Sequence, residues 1–352
     1  MNASSQSTIE YLNFIRYQLN RYIPITLLIL GSIGNILNIL VFTRPLIRTN
    51  PCSIYFVNGS IVNFISLYIG LITPFLGTYN LDPTQIFKNL CKIRYYLRLS
   101  TITLSTWFIL LACIDRLFST SNNVNIRSWS SVHLAKRIVI IAIIICCICP
   151  YTQVFYCYTI SQGTLCTLEN QTCKLLNDII LLICNSGFPP ILMILISILT
   201  IRNVKYLNHT VDGSHRRRRR RRDVQLIRLL LIQVFSFILY GIPITAQKIY
   251  SCSTIFMIKS PLTIAIDNLI NQVSTEISYI NNSTIFYTYS LTSKKYRKEV
   301  FRILSSLFTR CQNIKIHPIQ SIDSARINQN KIIKNIPNES YELNIRNRIE
   351  IL

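Results

Sequence analysis

Apolar residues gather in seven long runs along the chain, at about 23–43, 54–78, 92–118, 136–158, 176–201, 224–250 and 260–291. Each run is close to or above the ~20 residues a helix needs to cross a bilayer. Lipid offers no partner to an open backbone N–H or C=O, and the runs are too long for barrel strands, so each predicts a transmembrane helix. The third, fifth and seventh contain polar breaks and are placed partly by their spacing. Residues 1–22 form a short polar segment ahead of the first run. After the seventh the pattern changes. In LTSKKYRKEVFRILSSLFTRC, residues 291–311, Tyr296, Val300, Ile303, Leu304 and Leu307 share a helical face, and Lys294, Lys295, Lys298 and Arg302 lie largely elsewhere. This predicts an amphipathic helix on the membrane surface over 292–311. Residues 312–352 are rich in Asn, Ile and Arg with no period and predict a disordered tail. The predicted fold class is an all-α membrane protein, a seven-transmembrane helix bundle over 23–291 with a C-terminal amphipathic surface helix.

Composition supports the membrane reading, and charge orients it. Half of the residues are hydrophobic, 14% are charged, and the net charge is still +23; a soluble domain carries about a quarter charged residues. With the N-terminus outside, 28 of the 37 basic residues fall on the cytoplasmic side, including Arg44, Arg48, Arg116, Arg202, the seven arginines 216–222 and twelve in the tail. That asymmetry predicts an extracellular N-terminus and a cytoplasmic C-terminus. The first run is long and lacks a small-residue cleavage site, so it is expected to serve as its own insertion signal. The seven arginines stand close to two spans. Topological anchoring and attraction to anionic lipid, worth ~1 kcal/mol per basic residue, account for them better than nucleic acid does.

The candidate chemistry is sparse. The four histidines, His133, His209, His215 and His317, all lie outside the runs, with no His-Glu-x-x-His spacing and no nucleophile elbow, so neither a catalytic site, a cofactor nor a metal is expected. A transporter or channel is the alternative. It would need internal repeats or several membrane acids, and only Glu276 is well inside a run. Of the twelve cysteines, Cys113, Cys146, Cys147, Cys149 and Cys184 read as buried apolar residues. Cys91, Cys157, Cys166, Cys173 and Cys252 lie at the outer face, where disulfides form. Asn2 and Asn170 open glycosylation sequons on the same side, and Cys311 is a candidate for palmitoylation.

The stretch LLACIDRLFST, residues 110–120, places Asp115 and Arg116 side by side where the third run ends. Alone, such a pair marks a water boundary. Together with seven runs, an outer N-terminus and a surface helix, it resembles a rhodopsin-like (class A) G-protein-coupled receptor over about residues 23–311. Gly34-Asn35 is similar to the family's span-one Gly-Asn, and Asp115-Arg116-Leu117 to its Asp-Arg-Tyr. Cys91 stands 25 residues before Arg116, where the family places its disulfide cysteine. Pro189-Pro190 matches the span-five proline, Phe237 and Pro243 match the span-six aromatic and proline, and SLTSKKYRKE resembles the start of the surface helix. The chain also departs from the pattern. Asn-Pro-x-x-Tyr becomes Ile285-Phe286-Tyr287-Thr288-Tyr289, the span-six Trp is Gly241, span four lacks its Trp, and Asn63 stands where an Asp is usual.

The resemblance implies roles for particular residues. Asp115, Arg116, Asp223, Phe237, Pro243 and Tyr289 would carry the switch and G-protein coupling, with Arg116 paired to both Asp115 and Asp223 at rest. Asn35, Asn63, Ser105 and Asn281 would form the central polar cluster. Cys91 would bond Cys166 in the loop after span four, with Cys173 as the alternative and a second bridge open. Arg98 stands where the family's amine receptors carry an acid, which favours a ligand with a carboxylate, carbonyl or amidated acceptor. Tyr279 replaces the retinal lysine of opsins. Glu276 is expected either to pair with Arg98 or to hold the other end of the ligand, while Gln247, Asp267 and Asn271 face the outer third. The motifs are most similar to invertebrate neuropeptide (FMRFamide-like) receptors. The implied function is binding of an extracellular peptide-like ligand at the plasma membrane, passed to a heterotrimeric G protein, with membrane lipids around the bundle.

Overall fold

The computed structural model describes residues 3–148, 157–160, 166–168, 170–210, 214–306 and 309, and leaves outside the description the side chains of residues 3, 46 and 206–223. The long helices are α1 (Ala3–Phe42), α2 (Pro51–Gly77), α3 (Lys88–Ser119), α4 (Val132–Ile148), α5 (Gln171–Leu181), α6 (Phe188–Thr210), α7 (Ser214–Ser253) and α8 (Pro261–Thr292). A π-helical turn, Leu182–Ser186, joins α5 to α6, so these two make one rod and the described residues form seven rods in all. Five of the rods are long and apolar enough to cross a membrane. The other two are α4, described for 17 residues, and α8, which is 32 residues long but rich in Asn, Ser and Thr.

Local chemistry sets the helix starts. Asn50 and Ser260 each precede a proline, and their side chains accept the backbone N–H of Cys52 at 3.1 Å and of Thr263 at 3.2 Å. Both are N-caps followed by proline at the first helical position. Asn170 caps α5 the same way, accepting from Cys173 N–H at 2.8 Å, so the sequon asparagine also has a helix-starting role. At the other end of the chain's apolar signal, α1 does not begin near residue 23. It runs from Ala3 as a 40-residue rod. The polar first half is held by distant partners: Tyr17 Oη donates to the Thr78 carbonyl at 3.2 Å, and Gln272 Nε2 donates to the Arg16 carbonyl and to Asn20 Oδ1.

Helices in lipid gain nothing from hiding apolar surface, so small and polar residues must make the seams. Along α1 and α8, Ser283 Oγ donates to the Leu27 carbonyl at 3.1 Å, Tyr287 Oη to the Leu30 carbonyl at 3.2 Å, and Asn35 Nδ2 to the Asn282 carbonyl at 3.1 Å. Nearer the Phe42 end, the rings of Phe42, Phe56, Tyr289 and Tyr296 cluster with centroids 4.9 to 5.9 Å apart, and Tyr296 Oη donates to Asn38 Oδ1.

Between α4 and α5 a short antiparallel ribbon pairs β1 (Tyr158–Ile160) with β2 (Cys166–Leu168), Tyr158 facing Leu168 and Ile160 facing Cys166. Two disulfides anchor it: Cys91–Cys166 ties β2 to the start of α3, and Cys157–Cys173 ties the start of β1 to the first turn of α5. The favoured pairing of Cys91 with Cys166 is present, and so is a second bridge. Cys113 and Cys146 are buried and Cys147, Cys184 and Cys252 half-buried.

The chain divides into two compact units, Met1–Arg297 and Lys298–Leu352. Residues 294–306 are helical, and in the second unit Arg302 pairs with Glu299 at 2.5 Å. Asn2, Cys149, Leu307, Cys311 and the tail 312–352 lie outside the described residues.

Candidate ligand-binding and switch sites

A cavity of about 930 Å³ opens at the disulfide-bearing end of the bundle, walled by α3, α5, α6, α7, α8 and the ribbon. Its basic anchor is Arg98 of α3. Arg98 Nε donates to Tyr279 Oη of α8 at 3.1 Å, and its guanidinium stands 5.9 Å from the ring centroids of both Tyr95 and Tyr279. Among the described residues no carboxylate lies within ion-pair distance of it. The ribbon roofs this corner: Tyr158 stacks on Tyr95 at 4.1 Å and 14°, and its hydroxyl donates to Asn177 Oδ1 at 3.4 Å. Burial pushes the Tyr158 phenol well above its usual range, which keeps it neutral.

The two acids in the wall are already engaged. Asp178 of α5, 1% exposed, takes Lys248 Nζ of α7 at 2.9 Å, and Asp267 takes Lys259 Nζ at 2.5 Å. Burial lowers the Lys259 pKa, but the bond to Asp267 and the nearby Tyr250 outweigh it and the ammonium titrates above its ordinary value. Lys174 also lines the cavity, so its wall carries more basic than acidic residues. An acidic ligand group is the natural complement.

Of the residues expected to meet a ligand, Arg98, Gln247, Asp267 and Asn271 line the cavity, and Asn271 also accepts from Lys248 at 3.5 Å. Glu276 does not line it, and the expected Arg98–Glu276 pair is not formed. Glu276 accepts instead from Gln272 Nε2 at 3.1 Å, the side chain that also meets Arg16 and Asn20 of α1. The length of α1 contributes: its polar extension brings Arg16 and Asn20 against Gln272, the residue that bonds Glu276 from one turn earlier in α8.

At the opposite end, Arg116 is 1% exposed and pairs with Asp115 at 2.6 Å. It also donates to Asn50 Oδ1 at 2.5 Å, so the residue that caps α2 holds the arginine of α3 as well. Asp115 in turn accepts from Ser130 Oγ at 2.7 Å. The side chain of Asp223, the second expected partner, lies outside the described residues. Tyr289 is buried, and its hydroxyl donates to Gln233 Oε1 of α7, a direct tie between the sixth and seventh rods. Phe237 lines the cavity with Pro190 and Thr106, and α7 continues through Pro243.

Between the two ends, Ser105 Oγ donates to Asn63 Oδ1 at 2.5 Å, and Asn281 Nδ2 meets Asn282 Oδ1 at 3.5 Å. A void of about 10 Å³, the size of one water, lies among Asn63, Ser105, Gln233 and Tyr289. The four expected polar residues thus fall into two groups: Asn63 and Ser105 stand by the void with Gln233, and Asn35 and Asn281 each meet Asn282. Gln233 and Asp178 carried a signal in the sequence, as polar residues inside apolar runs. Tyr289 was expected as a switch residue, but that it meets Gln233, and that Asp178 meets Lys248, depends on packing between rods.

The sequence profile of the 7 transmembrane receptor (rhodopsin family) matches residues 34–284, well over half of the chain, and the chain belongs to that family. No curated protein matches it. The protein is thus a multi-pass plasma-membrane receptor that signals through G proteins, and the transporter or channel alternative is not favoured.

Proposed function

We propose that this receptor recognises an extracellular neuropeptide-like ligand through Arg98 and answers by exposing Arg116 to a heterotrimeric G protein. The observation that carries the ligand reading is Arg98: a guanidinium held between two tyrosines in a 930 Å³ cavity, with no carboxylate partner among the described residues. It calls for a carboxylate, carbonyl or amidated terminus. A ribbon fixed by two disulfides roofs the cavity and gives an extended peptide a rigid wall to lie against. Disulfides at that end and the arginines 216–222 toward the other support an extracellular N-terminus and cytoplasmic C-terminus, with glycosylation at Asn2 or Asn170 on the outside.

The switch reading starts from Arg116. Its bond to Asn50 holds α3 to α2, Asp115 neutralises it within α3, and Asp223 at the inner base of span six supplies a further acid at rest. Ligand that binds the open arrangement more tightly shifts the population toward it, and Arg116 then turns to the G-protein helix. Phe237 and Pro243 pass the movement along α7, and Tyr289 exchanges its Gln233 contact. The test is to express the chain in cultured cells, apply a library of amidated neuropeptides, and read G-protein dissociation beside an Arg116→Ala control. Activation that disappears in the variant at equal surface expression supports the reading; silence across the library at confirmed surface expression overturns the peptide assignment.

A further inference from the structure

The flank of the cavity between α6 and α7 differs from the rest of its wall. Above, Thr245 Oγ1 donates to the Ser186 carbonyl at 3.3 Å, and higher still Lys248 holds Asp178, so the outer ends of these rods are tied. Below those ties the wall is apolar and open to lipid. Ile191 of α6 and Ile242 of α7 both line the cavity, yet they are 58% and 57% exposed. Gly241 lines the cavity beside Ile242, and a Cβ built on it would meet no atom within 4 Å. Where the family carries a tryptophan, this chain leaves open space in the cavity, next to the exposed isoleucines of two neighbouring rods. The same cavity that begins at this window ends at Arg98.

We propose that a single-chain lipid acid enters sideways from the bilayer through this window, its hydrocarbon chain lying across Gly241 and its anionic head on Arg98. A chain in the window leaves lipid for an apolar wall, which is close to neutral in energy because both surroundings are hydrocarbon. Affinity must then come from the head. An anion at bilayer depth is costly without a partner, and the Arg98 fork offers a charge-assisted bond, whereas Asp178 and Asp267 are already neutralised by their lysines. A neutral lipid of the same chain gains nothing comparable. The inference shares Arg98 with the proposed function but needs no peptide, and direct lipid binding tests it whether or not a peptide activates the receptor.

The test uses the full chain in phosphatidylcholine nanodiscs, titrated with oleate, with oleoyl lysophosphatidate and with neutral monoolein, reading the unfolding midpoint and bound lipid by native mass spectrometry. One or both acids raise the midpoint and are retained, and monoolein does neither; which acid acts separates a free fatty acid from a lysophospholipid. Gly241→Trp, which refills the window, and Arg98→Gln each weaken the acid at least tenfold, and Ile264→Trp, the same bulk on a lipid-facing position of α8 away from the cavity, leaves it unchanged. Gly241→Leu serves in place of the tryptophan variant should that one fold poorly. Equal responses to acid and monoolein, undiminished binding to the Gly241 variants, or no response of the wild-type chain to either acid overturns the proposal.

Discussion

Arg98 of α3 donates to the hydroxyl of Tyr279 of α8 at 3.1 Å, and Tyr279 reaches that position by lying against Gly70 of α2. A Cβ on Gly70 would overlap the tyrosine ring and hydroxyl. Three helices thus fix one guanidinium, and the smallest of the three contributors decides where it points.

Gly70→Ala should therefore act on the ligand cavity from outside it. Overpacking of this kind costs about 1–3 kcal/mol. The expected outcome is a lower unfolding midpoint, and about tenfold weaker binding of an acidic ligand at Arg98. Tyr279→Phe keeps the ring and removes only the hydrogen-bond acceptor, so it should weaken the same ligand while leaving the midpoint nearly unchanged. Titration of both variants with one acidic probe, with the midpoints measured alongside, checks the pair.

Asp115→Asn removes the charge that Arg116 meets at 2.6 Å. Ligand-independent G-protein activation should rise several-fold, because the resting contact weakens while the arginine remains available. Asn50→Ala should raise it less and also lower stability by about 1 kcal/mol through loss of the α2 cap. Basal G-protein dissociation at matched surface expression is the measurement. No rise in either variant would mean that these contacts are not what restrains Arg116.

The Tyr289–Gln233 tie is suited to a double-mutant cycle. Gln233→Leu leaves a buried hydroxyl without its acceptor, at a cost of about 1–3 kcal/mol. Adding Tyr289→Phe to Gln233→Leu should recover part of that loss, giving a coupling of about 1 kcal/mol in thermal unfolding of the purified receptor. Additive effects would show that the bond contributes nothing.

The two bridges should be unequal in cost. Cys157–Cys173 closes a sequence separation of 16 and Cys91–Cys166 one of 75, so loop-entropy arguments assign about 3 kcal/mol to the first and between about 3 and 5 kcal/mol to the second. Paired Cys→Ser variants should both lose surface expression, more so at Cys91–Cys166. Losing the first bridge leaves the ribbon tied to α5 by the Tyr158–Asn177 bond, while Tyr158 still stacks on Tyr95.

Most of the seven rods were legible because they are long and apolar, the polar-broken third, fifth and seventh runs needed their spacing as well, and Arg116 and Cys91 were legible because they stand at fixed spacings along one helix. Features that depend on two distant segments were not. The helical start of α1 at Ala3 is polar, and its partners Thr78 and Gln272 lie far along the chain. The same contacts bear on Glu276: its place within an apolar run marked it as important, but that it bonds the Gln272 side chain which also meets α1 was not readable. Asn50 was not singled out in the sequence, and its double role, capping α2 and holding Arg116, appears only when α2 meets α3. Gly241 was readable as a missing tryptophan; that it leaves open space in the cavity was not.

The extension of α1 has a mechanical side. From Ser4 to Tyr22 the helix continues for about 27 Å past the first apolar run. A rod of that length turns small rotations into large displacements: a 10° tilt of the first span would carry its tip by roughly 5 Å, given the rise per residue. Arg16, Tyr17 and Asn20 couple the rod to α8 and to the end of α2. The N-terminal tip of the receptor is therefore geared to the helix that bears Tyr279, and a spectroscopic label near Ser4 would report, with amplification, how that helix moves.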